Sequence, residues 1–199
     1  MKSNVCKIDK GTKDLEAIFT ECEKVAAYNS LSHKQALQLR LLCEEIDGML
    51  PHIIDEFDGD FWIEFEDGVC KIKASIKIPE LTADKKDELI AVAKNKKNAA
   101  AVGVVGKIRD AVENFLLSEE TTLSLTASSA SVRLGTGFSD GVDYAYLWSL
   151  EQYRNSVKEA EEAEAWDELE KSVIASAADD VTVGVKGNKA EIVIVKKFA

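Results

Sequence analysis

Seven apolar residues, Leu39, Leu42, Cys43, Ile46, Met49, Leu50 and Ile53, fall at i, i+3, i+4, i+7, i+10, i+11 and i+14. At about 100° per residue they form one stripe along a helix of about four turns. A stripe that long must be buried against a second layer of similar extent. Ser32 can cap this helix, and Gln35 three residues on completes a capping box, each side chain bonding the other's backbone N–H. Pro51 lacks a backbone donor, so it frees the carbonyl of Asp47 and is expected to kink or end the helix there. Glu44 lies opposite the stripe and faces water, while Glu45 and Asp47 flank it. An acidic triplet, Gly48 and a proline in one core helix suggest the wall of a site.

Two hairpins supply the second layer. Phe61–Phe65 and Val69–Ile78 alternate in polarity around Asp67-Gly68, a dipeptide suited to a tight turn. The segments Val181–Val185 and Ala190–Val195 repeat the pattern around Lys186-Gly-Asn. A short strand at Asn4–Ile8 and a helix from about Asp14 to Tyr28 precede the long helix. Further helices are expected at Ala83–Ala93 and at Ala99–Leu117. In the latter, Val102, Val105, Ile108, Val112, Phe115 and Leu116 line one face, and Ala99, Gly103, Gly106 and Asp110 another. Residues 118–142, rich in Ser, Thr, Ala and Gly, suit a weak strand and a loop. Tyr146, Leu150, Tyr153 and Val157 then mark a helix continued through EAEEAEA to Trp166, Leu169, Val173, Ile174 and Ala177, as one long helix or two. Tyr144, Tyr146, Trp148, Tyr153 and Trp166 are expected to form that region's own core rather than a ligand cage. The class that follows is α+β: a two-layer sandwich of a mixed or antiparallel sheet, helices packed on one face, plus a helical insertion.

Charge and cysteine usage narrow the partners. A net charge of −11, from 36 acidic and 25 basic residues, repels nucleic acid and anionic lipid. No apolar run approaches the roughly 18 residues a membrane helix needs, and MKSNVCKIDKGTKD lacks the apolar centre of a secretion signal. Cys6, Cys22, Cys43 and Cys70 form no CxxC and sit in apolar patterns, as reduced core thiols of a cytoplasmic protein do. His33 and His52 stand alone and make no metal cluster.

Taken in order, the strand, helix, long helix with LRLLCEE, hairpin, helix GVVGKIRDAVE and closing hairpin GNKAEIVIVKK resemble the histidine-kinase-like ATPase (Bergerat) fold. The layout is most similar to the anti-sigma-factor serine kinases. The resemblance covers residues 1–117 and 178–199 as the ATPase-like sandwich, with 118–177 as a loop and helical insertion. In that family the long helix carries a glutamate that polarises the attacking group and, four residues on, an asparagine that holds magnesium. The resemblance makes Glu45 the catalytic glutamate and puts Met49 in the asparagine's place, where a thioether cannot replace a hard oxygen ligand. It assigns nucleotide contacts to Asp47 and Gly48 and, at a Gly-bearing helix start, to Gly103, Gly106 and Lys107, since backbone N–H groups there suit phosphate. The family's adenine-gripping aspartate and glycines would follow Ile78, where PELTADKKDE offers Glu80 and Asp84. The implied protein is a regulator that binds ATP or another nucleotide without efficient catalysis, uses no metal and acts on a protein partner. The alternative is a ligand-free interaction module that docks its partner through the acidic helical insertion.

Overall fold

Along the chain the elements run β1 (Cys6–Asp9), α1 (Leu15–Tyr28), α2 (His33–Ile53), β2 (Asp58–Glu66), β3 (Val69–Lys77), α3 (Gly103–Leu117) and β4 (Ala145–Ser149). After these come α4 (Leu150–Ala160), α5 (Ala163–Lys171), α6 (Val173–Ala177), β5 (Asp180–Lys186) and β6 (Lys189–Lys197). The structure, a computed structural model, describes residues 1–10, 15–54, 57–77, 103–117, 145–160, 163–186 and 189–198. The helix expected at Ala83–Ala93 and the strand and loop expected in 118–142 lie outside the described residues.

Among the described residues, six strands form one antiparallel sheet in the order β1-β2-β3-β6-β5-β4, so the two hairpins join through β3 and β6. The architecture is therefore α+β, as the alternation of hairpins and amphipathic helices predicts. Asp67 and Gly68 both take positive φ, 50° and 78°, the backbone a two-residue turn needs to follow the strands' twist. Phe61, Ile63, Phe65, Cys70, Ile72, Ala74 and Ile76 are all buried, and they share one core with the stripe of α2.

All seven stripe residues of α2 are buried. At its start the Ser32 N–H donates to the Gln35 side chain at 2.9 Å, and the Gln35 N–H donates to Ser32 Oγ at 3.4 Å. The expected break at Pro51 is displaced: the helix runs on to Ile53, and the Ile54 N–H reaches the Leu50 carbonyl at 3.0 Å. Proline removes a single hydrogen bond, whereas Leu50 and Ile53 bury the last turn in the core, and the burial prevails.

Two elements differ from their expectation. Among the α3 residues whose burial is described, Val104, Gly106, Ile108 and Val112 are buried and Val105 is half-buried, so that part of the helix is rotated slightly from the face expected. More significantly, residues 145–149 form strand β4 on β5 rather than the first turn of a helix, with Ala145 opposite Val185 and Ser149 opposite Thr182. Downstream, Leu150, Val157, Leu169, Ile174 and Ala175 enter the same core as α2. The C-terminal stretch, which the sequence leaves as one long helix or two, has its described residues in α4, α5 and α6, and Ser172 caps the last by accepting from the Ala175 N–H at 3.2 Å.

The sheet face turned away from α2 also carries buried residues. Trp62, Lys73, Val193, Thr182 and Ser149 are cross-strand neighbours in one row, and none is more than 6% exposed. The buried Lys73 side chain pairs with Glu64 at 2.9 Å, as a buried charge needs a partner. Among the described residues the Thr182 hydroxyl has no hydrogen-bond partner.

Candidate functional site

The apolar periodicity of α2 aims its acidic edge along the rim of the helical layer. Glu44 is exposed, Glu45 and Asp47 are half-buried, and Gly48 is exposed. No described atom lies within 4 Å of where a Cβ on Gly48 would stand, so the backbone is open there. Partial burial raises the Glu45 pKa, and the neighbouring Glu44 carboxylate raises it further. A carboxylate held in that way is a better base than an ordinary surface glutamate. Met49, at the place of the family's metal ligand, is 4% exposed and belongs to the core.

Helix α3 packs beside α2, which brings the two halves of the expected site onto adjacent helices. Gly103 opens α3 with φ of 75°, a conformation that only glycine adopts without strain, and no described atom lies within 4 Å of its missing Cβ. The first N–H groups of a helix have no partner within it and carry the positive end of its dipole. That of Gly103 is met by Glu168 of α5, whose Oε2 accepts at 2.8 Å across 65 residues of sequence. One turn on, the Lys107 ammonium lies 5.9 Å from the centre of the Tyr153 ring of α4, within cation–π range. Gly106 is buried in the helix body. Thus the α3 groups that the resemblance assigns to phosphate engage α4 and α5. His52, at the end of α2, is exposed. Glu80 and Asp84 lie outside the described residues.

Sequence reasoning missed Glu168 altogether and gave Tyr153 only a place in that region's own core. Glu168 sits in an acidic run where nothing local marks one carboxylate from its neighbours; only the packing of α5 on α3 singles it out. Trp166, expected in a core, is 41% exposed, and its indole N–H bonds Glu170 at 2.9 Å on the same helix. Trp148 and Tyr153 do pack together, ring centres 5.9 Å apart.

All four cysteines are buried, and none is joined in a disulfide. Burial pushes the Cys43 thiol well up and that of Cys70 to about 12, while a hydrogen bond from Cys43 draws the Cys22 thiol down. Among the described residues no group of three or more His, Cys, Asp or Glu could hold a metal ion, and no helix is long and apolar enough to cross a membrane. Comparison with models of known families, with curated proteins and with solved structures gave no match.

Proposed function

We propose that this chain is a divergent regulator of the histidine-kinase-like ATPase type. It binds ATP or another nucleotide between α2 and α3 without efficient catalysis and acts in the cytoplasm on a protein partner. The observation that carries this reading is the adjacency of α2 and α3, with an open, acidic helix edge on one side and a positive-φ glycine at a helix start on the other. The half-buried Glu45, with its raised pKa, is the group that would polarise an attacking hydroxyl or water. Met49 supports the lack of efficient turnover, because its thioether is a poor magnesium ligand and its side chain packs in the core. Thermal-shift titration with ATP, with and without Mg²⁺, tests the proposal. A Kd of about 10 μM with ligand at about 1 mM stabilises the fold by about 2.7 kcal/mol. An unchanged melting temperature with every adenine nucleotide sinks the nucleotide reading.

A second reading has its own support. Helix α5 exposes Trp166 among Glu164, Asp167 and Glu170, a surface suited to a basic partner segment. An interaction module of this kind would show no nucleotide-induced shift. It would also lose its partner, and keep its fold, on Trp166→Ala.

A further inference from the structure

The contacts at the start of α3 reach beyond the binding reading to its regulation, and rest on it. The Gly103 N–H points to a carboxylate oxygen of Glu168 at 2.8 Å, and Lys107 is drawn to Tyr153 at 5.9 Å. A carboxylate and a phosphate are alike in what they ask of a helix start: negative charge and an acceptor oxygen. Both contacts come from the α4–α5 pair, and both hold groups of α3 that a nucleotide phosphate would need. Helix α5 is also lightly held, because Leu169 is its one buried residue among those described. Elements with few buried contacts open at small free-energy cost.

We propose that Glu168 is a built-in competitor for the nucleotide's phosphates, so that α5 acts as an autoinhibitory clamp on the start of α3. With α5 seated, its carboxylate occupies the N–H that an incoming phosphate would take, and like charge repels the ligand. With α5 displaced, the Gly103 N–H becomes available, while Lys107 stays beside Tyr153 of α4 at the same helix start. A plain helix cap would make the same hydrogen bond, but its removal would lower stability without altering ligand affinity.

Calorimetric titration of the full chain with ATP separates these. The wild type, Glu168→Ala, Glu168→Gln and Asp167→Asn are compared at one ionic strength. Asp167 is exposed on the same helix and pairs with Lys171 at 3.7 Å, so its variant controls for the loss of one negative charge. The clamp predicts that Glu168→Ala binds ATP about tenfold to a hundredfold more tightly than wild type, as expected when a charge-assisted hydrogen bond no longer competes. Glu168→Gln keeps an acceptor and gains about threefold. Asp167→Asn stays within about twofold of wild type. Should Glu168→Ala fail to fold, the Gln variant decides, and a gain under twofold overturns the clamp. Equal gains for Glu168→Ala and Asp167→Asn overturn it, since the effect is then general electrostatics. If all four bind ATP alike, the clamp falls and the nucleotide reading stands; if none binds, both fall.

Discussion

Helices α2 and α3 lie side by side on the same sheet and bury similar apolar stripes, yet their first turns are completed in opposite ways. The start of α2 is closed by Ser32 and Gln35, three residues apart in sequence. The start of α3 is closed by Glu168, which arrives from another helix 65 residues on. The cap of α2 forms whenever the helix does. That of α3 exists only while α5 is docked, so the one is local in sequence and the other depends on tertiary packing. Gly48 and Gly103, the two glycines that the resemblance assigns to nucleotide, divide along the same line. Gly48 is an open position within a helix, whereas Gly103 holds a left-handed turn in place.

The contrast should be confined to the helix ends. Ile46→Ala on α2 and Ile108→Ala on α3 each remove a fully buried side chain and should cost about 2–5 kcal/mol in urea unfolding. A much smaller loss at Ile108 would mean that α3 is loosely held along its whole length. The glycines come next. Gly103→Ala forces a side chain into the left-handed region and should lower stability by about 1–2 kcal/mol, while Gly48→Ala should raise it by about 1 kcal/mol. Changes of the same sign at both sites would erase the distinction.

At the caps, Ser32→Ala should cost about 1 kcal/mol at any ionic strength. Glu168→Ala should cost about 1–2 kcal/mol at low salt and less at high salt, because the carboxylate also acts through its charge on the helix dipole. Matching salt dependence for the two would argue that both are neutral hydrogen bonds. The smallest effect concerns Glu45. Burial, aided by Glu44, raises its folded-state pKa, so its ionisation opposes folding. That penalty is absent below the unfolded value of about 4.3 and grows as pH rises through the folded value. Glu45→Gln should therefore melt above wild type at pH 7 and together with it below about pH 4. A variant less stable at neutral pH would show that Glu45 is held by a favourable partner.

Much of this architecture could be read along the chain, because the signals are local. The stripe from Leu39 to Ile53 defines a buried helix face, and Asp67-Gly68 closes a hairpin through backbone conformations those residues tolerate. Glu44 outside and Glu45 and Asp47 at the edges follow from the same helical period. Residues 145–149 were not legible in this way. Tyr146, Leu150, Tyr153 and Val157 keep helical spacing, yet Ala145–Ser149 pair with β5 as an edge strand. Strand β5 presents a row of backbone groups that need partners, and that demand arises from the other side of the sheet. Lys73 is a similar case: alternation places it on the sheet's outer face, where a lysine normally meets water, and it is buried against Glu64 and Trp62.

By itself, then, the amino-acid order determined the capped α2, the hairpins, the reduced core thiols and the α+β class, each written in residues a few positions apart. Only the tertiary structure decided that β4 is a strand and that Glu168 takes the first amide of α3. Those outcomes depend on which unsatisfied hydrogen-bonding groups meet after the layers pack, and residues 65 positions apart carry no mark of that meeting.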